Sequence, residues 1–181
     1  MNTKKQKKDD SQTSKEKDVN VDNAIEKKVV AEPAVDVEIA EGSDIQFEIL
    51  LSGLAPKLST KSSGKIGFEL LLDIGNNCQY IRLISNDSGG LFSKKMVKLD
   101  DLYEILEGME EGISFKSSMF QHLITGSANN VSFLSAALRC NDLALILQSE
   151  KNQYLHIVNP LLAQRKSLLT KLKPLAESAK K

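Results

Sequence analysis

The sequence predicts an α+β fold built from two tandem β-β-β-β-α repeats, with antiparallel sheets packed against helices and a disordered N-terminal arm in front. Short runs of alternating apolar residues are separated by turn residues, as in antiparallel strands. The apolar period becomes helical after Leu99, and the same order of elements then returns in the second half. We assign residues 44–112 to the first repeat and 113–181 to the second, together forming one compact domain.

The arm, residues 1–43, is set apart by its composition. It has no aromatic residue, eight lysines and ten acidic residues, and few apolar residues before Val29. Such a segment cannot bury enough surface to offset the entropy lost on ordering, so we expect it to be disordered. The basic cluster at its start (Lys4, Lys5, Lys7 and Lys8) is compatible with an arm that contacts phosphates, but a solubilising tail is the favoured reading.

The first repeat contains four predicted strands and a helix. The strands cover residues 45–51, 65–74, 79–85 and 91–98. Gly75-Asn76-Asn77 ends the second strand, and the segment from Asn86 to Gly90 ends the third, because these residue types favour turns. A helix begins at Leu99, where two aspartates suit the positive end of the helix dipole, and ends near residues 108–112.

The second repeat is predicted from the same order of elements. Its strands lie within residues 113–125 and at 130–139, 143–148 and 154–158, and Pro160 starts a helix that runs up to Pro174. The halves align so that Leu99 falls on Leu162 and Leu106 on Leu169. The alternative is an unrelated α+β domain whose halves look alike because strand-turn-strand patterns are common.

The stretch from Phe47 to Leu106 carries a family resemblance. It opens with an FEI strand, continues through a Leu-Ser-Thr loop with Lys and Gly, and closes on KKMVKLDDLYEIL. It resembles bacterial relatives of the positive-cofactor-four type of transcriptional coactivator, and the tandem pattern resembles the Whirly and Pur-alpha type of fold. The resemblance implies binding of single-stranded nucleic acid, with one unit per chain and dimerisation in the coactivator type.

Charge and cysteine content limit the possible functions. Twenty-four basic residues balance twenty-four acidic ones, which excludes a polycation that coats nucleic acid through charge alone and leaves only a local basic patch. Cys78 and Cys140 have no C-x-x-C partner and suit a reducing compartment. No apolar run approaches the ~20 residues of a membrane helix. We therefore expect a cytoplasmic protein without membrane contact, nucleoid-associated if the host is bacterial.

A candidate binding surface follows from the alternation of side chains along the strands. If Ile81, Leu83 and Val97 face the helix, the opposite face shows aromatic and basic side chains, which stack on bases and pair with phosphates. The candidate nucleic-acid-binding residues on strands and loops are Lys57, Lys61, Lys65, Tyr80, Arg82, Phe92, Lys94, Lys95 and Lys98. The alternatives are core positions for the two aromatic residues and a solvated edge for Lys94 and Lys95.

Acidic residues weigh against this surface. Glu69 and Asp73 share the parity of Lys65 and would repel phosphate if they lie on the binding side.

Catalysis is not expected. His122 and His156 have no cysteine or carboxylate at metal-ligand spacing, and no phosphate-loop, nucleophile-elbow or dinucleotide-binding glycine motif occurs. We therefore predict no catalytic residues, no metal and no cofactor.

Two functions remain open. The first is a single-stranded nucleic-acid-binding protein, largely independent of sequence and with DNA favoured over RNA, acting in transcription, replication, repair or plasmid and phage biology. The alternative is a non-enzymatic protein-interaction or oligomerisation module on the same fold, which the low aromatic content and balanced charge favour. Leucines of the last helix, such as Leu161 and Leu168, would supply its surface. Self-association to a dimer or higher oligomer is expected.

Overall fold

The computed structural model describes residues 46–175, so the predicted disorder of residues 1–43 lies outside the described residues. Within that range the chain forms a four-stranded antiparallel sheet, a three-stranded antiparallel sheet and three α-helices. The predicted α+β class is confirmed.

The first sheet has the strand order β1-β2-β3-β4, with β1 at Phe47–Pro56, β2 at Lys65–Asp73, β3 at Cys78–Asn86 and β4 at Val97–Lys98. Helix α1 (Leu99–Glu107) follows β4 directly. The predicted order of four strands and a helix is therefore confirmed for the first half. The first strand runs on to Pro56, beyond its predicted end at Leu51, with a bulge between Ile49 and Leu51.

The predicted fourth strand is wrong in extent. Only Val97 and Lys98 pair with β3, and Leu91 is 96% exposed. Gly89 and Gly90 adopt positive φ angles of 71° and 85°, which carry the chain away from β3. The backbone N–H of Ser93 then donates to Oδ1 of Asn130, 3.1 Å away. This N–H is therefore satisfied by a side chain distant in sequence and not by the backbone of a neighbouring strand.

The second half contains β5 (Phe115–Lys116), a 3₁₀ turn (Ser117–Phe120), α2 (Ala128–Arg139), β6 (Ile146–Ser149), β7 (Asn152–Val158) and α3 (Leu162–Thr170). Its sheet has the order β5-β7-β6. Two tandem β-β-β-β-α repeats are not confirmed, because residues 113–175 form three strands with a helix among them.

The strand predicted at residues 130–139 is wrong, since this segment lies in α2. Val131, Leu134 and Leu138 are buried at helical spacing, and the neighbouring alanines are strong helix formers. The strand predicted at 143–148 is shifted to β6, because Ala144 adopts a positive φ of 46° and keeps the preceding residues in a turn.

Two helices cover one face of the first sheet. Helix α1 contacts β3 and β4, and α2 contacts β1 and β2. The strand residues beneath them, including Phe68, Leu70 and Ile81, are fully buried in the main core. Burial of this apolar surface is the main stabilising contribution to the fold, and it leaves the opposite face of the sheet for other contacts. Within residues 46–175, none of the helices combines the length and the apolar character of a membrane span.

Candidate nucleic-acid interface

We use the name open face for the face of the first sheet that points away from α1 and α2. Cross-strand pairing places Ile49, Leu71, Tyr80 and Lys98 in one row of it. Ser52, Glu69 and Arg82 form the next row. Three aliphatic residues, Ile49, Leu54 and Ile84, form an accessible apolar rim of this face and are 36%, 56% and 39% exposed. Leu71, at the centre of the face, is buried but does not belong to the main core.

An aromatic pair occupies the open face. The rings of Phe47 and Tyr80 meet edge to face, with centroids 5.9 Å apart and planes at 90°. Burial first, and then the nearby Cys78 and Asp73, raise the pKa of Tyr80, so the phenol is neutral at physiological pH. Tyr80 was predicted from the alternation along β3. Phe47 was missed, although it stands two residues before Ile49 and so shares its face.

The guanidinium of Arg82 is held by a carboxylate on the same face. Its Nη2 lies 2.7 Å and its Nε 2.8 Å from Oε2 of Glu69, which is more buried than the arginine. Glu69, which was expected to repel phosphate if it lay on the binding side, does lie on the open face and forms an ion pair with Arg82. This pairing reduces the repulsion expected from Glu69, and it also reduces the positive charge that Arg82 offers.

Asp73 has a structural role. The residue is 3% exposed, and its carboxylate accepts hydrogen bonds from the backbone N–H groups of Gly75 and Asn76 and from the side-chain amide of Asn76. These bonds close the β2–β3 turn. The carboxylate is therefore held by the turn, while its charge still acts on the nearby Tyr80.

Lys98 flanks the aromatic pair. It stands opposite Tyr80 in the pairing of β3 with β4, and its side chain is 37% exposed. Its Nζ lies 3.4 Å from Oδ2 of Asp100, the second residue of α1. Tyr80, Arg82 and Lys98 are the three predicted site residues that the fold brings together.

The predicted loop lysines lie elsewhere. Lys65 begins β2, and the row that holds Tyr80 is six residues further along, about 20 Å at roughly 3.3 Å per residue. Lys57 has its Nζ 5.6 Å from the ring centroid of Phe133 in α2. Lys61 is exposed in the loop between β1 and β2. These three side chains do not converge on the aromatic pair.

The segment before β4 departs from its predicted place. Phe92 is half-buried and packs against the main core, so its placement beside Tyr80 is wrong. Lys94 is exposed and Lys95 is half-buried, and neither belongs to a strand. The predicted stripe of alternating aromatic and basic residues therefore stops at Lys98, because β4 is only two residues long.

His156 belongs to a buried structural network. Nε of Arg139 donates to Nδ1 of His156 at 2.9 Å, so the imidazole proton resides on Nε2 and is donated to Oγ of Ser117 at 2.8 Å. Burial and then the charge of Arg139 lower the pKa of His156 to about 3. Because Nε2 carries the proton, this histidine does not act as a base toward Ser117.

In the described part of the chain, no group of three His, Cys, Asp or Glu side chains is placed to hold a metal ion.

No protein-family model, curated protein or solved structure matches the chain. The open face has an aromatic pair, two cations and an accessible apolar rim.

Proposed function

We propose that the open face binds single-stranded nucleic acid, DNA in preference to RNA, with little dependence on sequence. The observation that carries this proposal is the Phe47–Tyr80 ring pair, which lies on a face free of the two sheet-covering helices and is flanked by Lys98 and Arg82. Every base has a π-face that stacks on an aromatic ring, and the two cations pair with phosphates.

The element order of the first half supports the same function. Four antiparallel strands followed by a helix are the unit that the Phe47–Leu106 resemblance implies. Coactivators of the positive-cofactor-four type carry one such unit per chain and dimerise. One unit in this chain therefore suits a dimer in which two open faces share one strand of nucleic acid.

Fluorescence polarisation with a labelled 30-residue oligothymidine at low salt tests the proposal. We expect micromolar binding, weaker binding to the corresponding duplex, and at least a fivefold loss for Tyr80→Ala, since a stacked base is worth about 1–3 kcal/mol. Tyr80→Phe keeps the ring and should bind as the wild type does. Tyr154→Ala is the matched control, because this tyrosine is 49% exposed on β7 of the other sheet.

A circular dichroism melt of each variant separates lost binding from lost folding. Wild-type affinity in folded Tyr80→Ala contradicts the proposed site. Absence of any single-strand binding below tens of micromolar contradicts the proposed function.

The apolar rim favours a second candidate, a protein-interaction or self-association surface. Ile49, Leu54 and Ile84 are aliphatic and exposed, and such side chains bury well against another protein but stack poorly on bases. Ile84→Lys distinguishes the two candidates. It should preserve or strengthen oligonucleotide binding, whereas it should abolish any concentration-dependent mass in light scattering if the face serves protein contact.

A further inference from the structure

A second accessible surface lies on the helical side of the fold, between α1 and the segment around residues 119–123. It is a groove of about 600 Å³. Its apolar lining residues, called the floor, are Ile105, Met109, Met119 and Leu123, and its polar lining residues, called the rim, are Asp101, Glu104 and His122. It does not depend on the open face or on the function proposed for that face.

Two ridges of side chains form the groove, one on α1 and one on the segment that faces it. Asp101, Ile105 and Met109 follow one another four residues apart and so occupy one side of α1 and its C-terminal end. Met119, in the 3₁₀ turn, and Leu123, shortly after it, line the facing side of the groove. Gly108 lines the groove without a side chain, which leaves the space between the ridges open.

Side chains of the floor pack against the main core on one side and are partly exposed to solvent on the other. Ile105, Met109 and Leu123 are half-buried and pack against the main core, while Met119 is 46% exposed. Methionine side chains are flexible and polarisable, and they adapt to apolar partners of differing shape. The floor therefore offers an apolar surface that the protein's own core does not fill.

The rim is acidic. Asp101 and Glu104 are exposed, and neither forms a salt bridge with any residue from 46 to 175. Glu110 and Glu111, which follow α1, are also exposed. Such a rim repels phosphates and attracts cationic side chains, so the groove is suited to a basic polypeptide and unsuited to nucleic acid.

We propose that this groove binds an amphipathic basic helix of a partner protein. Apolar side chains at positions i, i+3 and i+4 of the partner lie on the methionine-rich floor, and its lysines or arginines pair with Asp101 and Glu104. Helix α1 has nine residues and is about 13 Å long at ~1.5 Å per residue. The site accordingly holds about two turns of the partner helix.

The probe for this site is a labelled 14-residue Leu/Lys peptide with leucines at i, i+3, i+4 and i+7, titrated with the full chain. We expect micromolar binding and at least tenfold weaker binding of a Leu/Glu peptide of the same pattern and of a scrambled Leu/Lys peptide. Glu104→Lys should weaken binding at least fivefold. Glu150→Lys, an equal charge change at an exposed position after β6, should leave binding unchanged.

Methionine methyl spectra locate the contact. The chain has four methionines, so a ¹³C-methyl-labelled sample shows few signals. Those of Met109 and Met119 should shift with the Leu/Lys peptide, whereas that of Met96, before β4, should stay in place. Met119→Ala should weaken binding severalfold, and Leu147→Ala, a truncation at a 37% exposed position on β6, should not.

Three results overturn the proposal. The first is equal binding of all three peptides. The second is unshifted Met109 and Met119 signals at a peptide concentration that saturates the polarisation signal. The third is self-association of the chain alone that Met119→Lys abolishes, because a second copy of the protein would then occupy the groove.

Discussion

At the scale of single residues, the hydroxyl of Tyr103 is buried without a hydrogen-bond partner among the described residues. Burial raises the pKa of Tyr103 to about 12, and Nζ of Lys166 lies 4.7 Å from the ring centroid. Tyr103→Phe removes the unpaired hydroxyl and keeps the ring and its cation contact. We expect the free energy of unfolding in urea to rise by about 1 kcal/mol. A decrease of that size would show that the hydroxyl is hydrogen-bonded in solution.

His156 makes the stability of the protein depend on pH. Its pKa of about 3 in the folded state is below the ordinary value of 6.5, so the unfolded state binds the proton more readily between these two pH values. The stability that this group contributes is fully present above pH 6.5 and is lost as pH falls. One proton corresponds to a slope of about 1.4 kcal/mol per pH unit.

Urea unfolding at pH 7, 6 and 5 measures this slope. His156→Gln should be less stable at pH 7 and should flatten the slope, because the titrating group is gone. His122→Gln is the control, since this histidine is exposed and should retain the wild-type slope. A wild-type slope in folded His156→Gln would contradict the assignment.

At the scale of elements, the β1–β2 pair depends on a close approach at Gly53. Gly53 is paired with Phe68, and a Cβ at this glycine would lie 2.5 Å from Cζ of that fully buried ring. Gly53→Ala should therefore lower the free energy of unfolding by about 1–3 kcal/mol through overpacking. Ser52→Ala, at the exposed adjacent position, should stay within about 0.5 kcal/mol. Equal stability of the two variants would disprove the steric role of Gly53.

The elements that the sequence predicted correctly are those whose signals are local. β2 and β3 alternate apolar residues between turn residues, and their pairing is regular from Phe68 to Asp73, so parity placed Tyr80, Arg82 and Lys98 on one face. Residues 130–139 fit both an alternating and a helical period. Their conformation depends on packing of α2 against β1 and β2, which the local pattern does not contain.

Non-local contacts explain the other differences. Residues 91–96 have a strand-like pattern, but the hydrogen bond from Ser93 to Asn130 spans 37 positions of sequence. Phe92 therefore packs against the core and is lost from the candidate site. Phe47 was missed because the β1 bulge obscures the alternation along that strand.

At the scale of the whole molecule, the net charge of zero is a sum over separate surfaces. Along the groove beside α1 lie Asp101 and Glu104, which have no salt bridge within residues 46–175, whereas the open face has two cations, each close to one carboxylate. The two surfaces thus suit partners of opposite charge, a basic helix and a nucleic acid. The pairing of Arg82 and Lys98 also implies that stacking contributes more to nucleic-acid affinity than charge does.

This charge arrangement predicts a shallow salt dependence. Each phosphate neutralised on a single strand contributes about −0.7 to the slope of log K against log salt, so the two cations of one open face give at most about −1.4 for each protomer bound. Lys98→Gln should make the slope less negative by about 0.7, and Tyr80→Ala should lower affinity without changing it. Lys61→Gln, in the loop before β2, should leave the slope unaltered. Polarisation titrations from 25 to 300 mM salt measure all three. A slope much steeper than −1.4 per protomer bound, or one that Lys61→Gln reduces, would place the phosphates along the loop lysines and away from the aromatic pair.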